Sequence, residues 1–272
     1  MSTPPVIWTI AGFDPSSGAG ITADLKTISS FGCYGAACIT ALTVQNTLGV
    51  RRVEPVSPQT LRETLHALLE DIPPDAIKIG MLSTSGVASL VADFLETLLL
   101  PLCPVVLDPI LRSSSGAELL DAAGVQILIA RLLPLASVVT PNRHEAAILT
   151  GLGAQDAEGA ATALRQMGAA AAVVTGGDSS APGAVQYSED VLAYGAAGME
   201  FVETLSAPRI QSSATHGTGC AFSTAIACGL AQGQGIPAAV TAAKAFVRRA
   251  IEQAPGIGHG KGPMGLDRAA RD

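Results

Sequence analysis

Short runs of β-branched and small apolar residues alternate along this chain with longer segments of helical period, and that alternation constrains the fold more than any other feature. The expected strands are Val6 to Ala11, Ala36 to Leu42, Ile77 to Ile79, Val105 to Leu107, Ser137 to Thr140 and Ala171 to Thr175. Between them, Ala19 to Ser30, Pro58 to Glu70, Thr84 to Leu98, Leu119 to Leu132 and Ala157 to Met167 read as helices. A strand, a helix and a further strand in repetition predict a mostly parallel sheet with helices on both faces. After Thr175 the pattern changes: Tyr187 to Tyr194 and Phe201 to Leu205 alternate as antiparallel strands about the turn Gly195 to Gly198. Two helices, Thr218 to Leu230 and Pro237 to Gln253, close the chain. With 272 residues, 48% apolar and 14% charged, the sequence is long enough for one α/β domain over residues 1–272, with disorder expected over 265–272.

In such a sheet functional groups collect beyond the carboxyl ends of the strands. The embedded polar residues sit there: Gly12 to Gly20 after the first strand, Thr43 to Asn46 after the second, Gly80 and Met81 after the third. Asp108 ends the fourth, Thr140-Pro141-Asn142 the fifth with Glu145 beyond, and Gly176-Gly177-Asp178 the sixth. The first loop has glycines enough to cradle an anion but lacks the lysine of a Walker A motif. Asp24, close behind it, reads either as an ordinary acid favoured by a helix dipole or as a ligand contact. Asp108 and Asn142 read either as turn formers beside proline or as oxygen ligands; with Glu145 they suit a hydrated Mg²⁺.

The segment Thr215-His216-Gly217-Thr218-Gly219-Cys220 precedes an apolar helix. It reads as a glycine-softened turn into a buried helix, or as an anion hole whose free N–H groups point at a ligand with a thiol at the junction. On the second reading Gly217, Thr218 and Gly219 meet a transferred phosphoryl group and Cys220 accepts the alcohol proton, a helix N-terminus supplying some thiolate at neutral pH.

Composition removes other classes. Sixteen basic against 23 acidic residues give a net charge of −7, with no basic run to track a nucleic-acid backbone. No signal peptide or membrane-length apolar stretch is expected, which points to a cytoplasmic protein. Five cysteines without a CxxC pair, beside four histidines, indicate neither a disulfide framework nor a zinc site.

Taken in order, AGFDPSSGAG, ADLKT (Ala23 to Thr27), ITALTVQNT (Ile39 to Thr47), KIGML (Lys78 to Leu82), VVLDPI (Val105 to Ile110), TPNRHEA (Thr140 to Ala146), HGTGC and GHGKGP (Gly258 to Pro263) resemble the hydroxymethylpyrimidine/phosphomethylpyrimidine kinases of thiamine biosynthesis. The resemblance implies a ribokinase-like three-layer α/β/α fold, usually a homodimer, that uses ATP and Mg²⁺ to phosphorylate 4-amino-5-hydroxymethyl-2-methylpyrimidine and then its monophosphate. It places Gly12, Asp24, Gln45 and Met81 at the pyrimidine and Cys220 at the catalytic base. Asp108, Asn142, Thr175, Gly177 and Thr218 fall at the nucleotide, and Asp108 and Glu145 at the metal.

Two departures stand out. Thr175-Gly176-Gly177-Asp178 replaces a usual lysine and histidine, and Ser113-Ser114-Ser115-Gly116-Ala117 lacks a second lysine in a flap. Arg112 and Arg143 are the expected substitutes, and the second phosphorylation is expected to be the weaker. Pyridoxal or pyridoxine kinase is the alternative within the fold; a degenerate pyrimidine-binding protein with little catalysis is the alternative outside catalysis.

Overall fold

The computed structural model describes residues 3–97, 103–113, 116–177, 186–196 and 199–269. Leu98, Ser114, Ser115 and Asp178, and residues 197–198 of the expected turn, lie outside them. The strands β1 (Val6–Phe13), β2 (Tyr34–Asn46), β3 (Gly49–Pro55), β4 (Ala76–Ile79), β5 (Val105–Leu107), β6 (Val138–Val139), β7 (Ala172–Val174), β8 (Tyr187–Ala196) and β9 (Met199–Pro208) form one sheet in the order β3-β2-β1-β4-β5-β6-β7-β8-β9. The central strands from β2 through β7 are parallel, whereas β3, β8 and β9 pair antiparallel at the two sides.

Side chains alternate across this sheet and so build two cores. Trp8, Ile10, Ile77, Ile79, Val105, Leu107, Val139 and Val174 face one side. There they meet α2 (Pro58–Asp71), α3 (Ser85–Thr97), α4 (Ala122–Ile127), α5 (Arg143–Thr150) and α6 (Ala157–Gln166). Ile7, Ala76, Val106, Val138 and Val173 face α1 (Gly20–Ser30), α7 (Thr218–Ala231) and α8 (Ile236–Glu252). This is the three-layer arrangement expected from the alternation. The helix α7 is lined by small residues and has a buried run from Cys220 to Gly229, which lets it lie close against the sheet centre.

Four elements depart from the expectation. The edge strand β3 was not anticipated, because exposed Arg51, Arg52 and Glu54 break any apolar alternation. The helix α5 is only eight residues long and is specified by a capping box rather than by period: Asn142 accepts from Glu145 N, and Glu145 reaches back to Asn142 N. The expected helix Leu119 to Leu132 begins at Ala122 and passes into a π turn over Leu128–Leu132. The supposed disordered tail is packed as far as it is described: Leu266 and Ala269 are buried in the α1/α7/α8 core.

Candidate active site

The loops at the carboxyl ends of the strands enclose a cleft of about 1400 Å³. Gly12, Gln45 and Met81 line it, as do Asp108, Thr140, Asn142, Glu145, Thr175 and the start of α7. Phe222, Lys244, Val247 and Ile251 line it as well. The expected site residues are therefore brought together, with one exception.

That exception is Asp24. It is fully buried beneath the cleft and lines none of it. Its carboxylate takes Lys78 Nζ at 2.9 and 3.2 Å, Thr9 Oγ1 at 2.5 Å and Thr224 Oγ1 at 2.8 Å. Neither a helix-dipole acid nor a ligand contact, it is half of a buried ion pair joining α1, β4 and α7. Lys78 belongs to the constellation though sequence reasoning gave it no role. The available signal was a lysine inside the apolar strand Ala76-Ile77-Lys78-Ile79, where all four residues are buried.

Gly217 sets the geometry of the helix start. Its φ of +79° suits glycine, and a Cβ there would lie 2.0 Å from Gly18 O. Gly18 is equally confined, since its Cβ would meet His216 Cδ2 at 2.2 Å. The first glycine loop and the HGTGC turn therefore pack directly on each other. No side chain caps α7, so the N–H groups of its first turn have no side-chain acceptor. They border the cleft, as an anion hole requires.

A second polar centre, absent from the expected set, locks the two loops together. Asp14 accepts from Ser16 N, Ser16 Oγ, Gly18 N and Ala19 N, and pairs with His216 Nε2 at 2.8 Å. Although burial opposes ionisation, bonds from His216, Ser16 and Gln45 hold its carboxyl well below the usual range. Gln45 is thereby drawn to Asp14 through its amide N–H while it lines the cleft. Met81 occupies space that only Gly12 leaves, because a Cβ on Gly12 would sit 2.8 Å from Met81 Sδ.

The thiol differs from its expected state. Burial pushes Cys220 up to about 12; Lys78 and a bond from Gly20 N–H pull down, while Asp108 and Asp24 push further up. Helix N-terminal stabilisation loses to desolvation and to two neighbouring carboxylates, so the unliganded thiol is neutral. Burial likewise raises Asp108 to about 6, against the pull of Lys78 and of bonds from Ser223 and Cys220.

Asp108, only 4% exposed, is a carboxylate held in the cleft with no cation bonded directly to it among the described residues. Beside it Thr140 Oγ1 is buried with no hydrogen-bond partner. An orphaned hydroxyl next to a desolvated carboxylate fits a hydrated Mg²⁺, which needs one or two protein carboxylates and keeps its water. Glu145 is less committed to a metal than expected, since Asn142 N and Leu111 N already donate to its oxygens at 3.0 and 3.4 Å. Among the described residues no group of three or more His, Cys, Asp or Glu is placed to hold a metal alone. Of the two expected substitute cations, Arg112 lines the cleft, whereas Arg143 turns away to Gln155 O and does not.

No helix among the described residues is long and apolar enough to cross a membrane. Comparison with known proteins agrees with the geometry. A thiamine biosynthesis bifunctional protein of Geobacter sulfurreducens is 42% identical over 98% of this chain, which spans 53% of that longer protein. A hydroxymethylpyrimidine/phosphomethylpyrimidine kinase of Haemophilus influenzae is 41% identical over 97% of both chains. Among solved structures, the Staphylococcus aureus pyridoxal kinase in complex with AMP-PCP and pyridoxal superposes with a TM-score of 0.85 at 32% identity, covering 99% of this chain and 96% of that one. The fold is thus ribokinase-like, and the sequence pattern described as phosphomethylpyrimidine kinase matches residues 14–265: this chain belongs to the phosphomethylpyrimidine kinase family.

Proposed function

We propose that this single kinase domain transfers the γ-phosphoryl group of ATP to 4-amino-5-hydroxymethyl-2-methylpyrimidine and, less efficiently, to its monophosphate. The observation that supports this reading is one cleft lined both by Gln45 and by the uncapped start of α7. Gln45, held by Asp14, orients the aminopyrimidine edge, with Gly12 and Met81 shaping the ring's place. The N–H groups of Thr218, Gly219 and Cys220 meet the charge developing on the transferred group. Asn142, Thr175 and Gly177 border the nucleotide's path.

Cys220 takes the alcohol proton at the end of a loose transfer, once the negative field of Asp108 is relieved. Asp108, with Thr140 and Glu145 beside it, would hold a hydrated Mg²⁺, whose positive charge would neutralise this carboxylate and favour the thiolate. Exposed Tyr34, Leu42, Val44 and Leu48 along β2 and its turn support a homodimer, and the kinase acts in the cytoplasm.

Pyridoxal kinase is the second reading, favoured by the Staphylococcus neighbour at a TM-score of 0.85. Product analysis by ³¹P NMR decides between them. With MgATP, the pyrimidine should be converted fastest, its phosphate more slowly and pyridoxal slowest. Conversion of pyridoxal alone would overturn the proposal.

A further inference from the structure

Where β7 ends, the chain leaves its antiparallel neighbour. Val174 still pairs with Val191 of β8, but Thr175 N donates the other way, to Pro141 O at 2.9 Å, and Thr175 bridges to Asn142. Gly176 then lies so close to β8 that a Cβ on it would stand 2.1 Å from Glu189 O. The residue is buried and its N–H is outside the ladder. A buried amide without a partner is costly, so this one needs an acceptor from a side chain. Asp190 provides it: Gly176 N donates to Asp190 Oδ1 at 3.0 Å.

The carboxylate is itself held. Lys244, reaching from α8, donates to Asp190 Oδ2 at 2.6 Å and to Ser188 O at 3.1 Å. The lysine and aspartate side chains are only 11% and 8% exposed. Exchanging a buried ion pair for apolar residues of similar volume is often neutral or stabilising, so stability alone does not account for charges in this place. What the pair provides is direction: the ammonium pins one carboxylate oxygen, which aims the other at Gly176. Arg209 Nη2 ties the next residue of the same turn, donating to Gly177 O at 2.7 Å. Thr175 and Gly177, on either side of Gly176, both line the cleft.

We propose that Asp190, aimed by Lys244, is the positioning residue of the β7 turn, and through the Gly176 N–H holds Thr175 and Gly177 in the shape that receives the nucleotide. This rests on the kinase reading and names the group that shapes its nucleotide side.

The test compares two double variants that both remove the ion pair and differ in the acceptor for Gly176. Asp190→Asn/Lys244→Met keeps an oxygen facing the amide, whereas Asp190→Leu/Lys244→Met keeps none. Binding of MgATP and of 4-amino-5-hydroxymethyl-2-methylpyrimidine is measured for each by isothermal titration calorimetry. The Asn/Met variant should hold MgATP within about threefold of wild type, and the Leu/Met variant should bind it roughly 10-fold more weakly, the worth of one buried hydrogen bond. The pyrimidine should stay within about twofold in both. If the Leu/Met variant does not fold, Asp190→Ala/Lys244→Met, which also lacks the acceptor, replaces it with the same expectation. Equal MgATP affinity in the two double variants overturns the inference. So does a loss of MgATP as large in Asn/Met as in Leu/Met, which would assign the effect to the Lys244 charge. A parallel loss of the pyrimidine, the mark of general structural damage, overturns it too. Wild-type protein that binds no MgATP would instead sink the kinase reading itself, so the two failures are distinguishable.

Discussion

Asp108→Asn should stabilise the unliganded protein while abolishing its turnover. The carboxyl is raised by burial to about 6, from an ordinary value near 3.9. Between those two values the folded chain binds more protons than the unfolded chain, so stability falls as pH rises through the window. About two pKa units at about 1.4 kcal/mol each make this cost about 3 kcal/mol by pH 7. Asparagine keeps the shape and can still accept the bond that Ser223 Oγ makes at 3.2 Å, yet it carries no charge to desolvate. Urea unfolding of both proteins at pH 4, 5, 6 and 7, without ligand, reads the difference. Every other titrating group cancels in the comparison to the extent that the substitution leaves it undisturbed. The variant should lie close to wild type near pH 4 and exceed it by about 2–3 kcal/mol at pH 7. A difference that does not change with pH, or a variant that loses ground as pH rises, would refute the reasoning. On the proposed role of Asp108, MgATP should then stabilise wild type far more than Asp108→Asn.

Three further outcomes follow from the same structure. Lys78→Met strands Asp24, whose pair is completely buried, and should cost about 3–5 kcal/mol in urea unfolding at pH 7; a loss below about 1 kcal/mol would mean the pair contributes little. Gly217→Ala must adopt a φ near +79° and place Cβ against Gly18 O, so it should lose more than about 1–2 kcal/mol and most of its kcat/KM; near-wild-type kinetics would deny α7's start its role. Cys220, neutral by burial, should react with iodoacetamide at pH 8 no faster than buried Cys38 when peptides are read by mass spectrometry; rapid selective labelling would indicate a thiolate in the unliganded site.

What the sequence revealed about the site was mostly what short range dictates. Strand ends and glycine loops are local signals, so Gly12, Gln45, Met81, Asp108, Asn142, Thr175 and the HGTGC turn were all legible and all border the cleft. The alternation of elements likewise gave the two cores. Pairings across long separations were hidden. Asp24 meets Lys78 54 positions away, and Asp14 meets His216 202 positions away, so neither partner could be assigned from spacing. Cys220 illustrates a deeper limit: a helix start is visible in sequence, whereas desolvation by the assembled core is not, and here desolvation dominates. The strand β3 and helix α5 escaped for opposite reasons, one exposed and charged, the other too short to show a period.

The central claim is that the start of α7 both holds the transferred group and, through Cys220, takes the alcohol proton. Pre-steady-state turnover of Cys220→Ala with MgATP and the hydroxymethylpyrimidine, beside its ATP affinity, tests this most directly. The account predicts a kcat lower by about 100-fold or more, with ATP affinity within about twofold of wild type. Wild-type kcat in the alanine variant would contradict it.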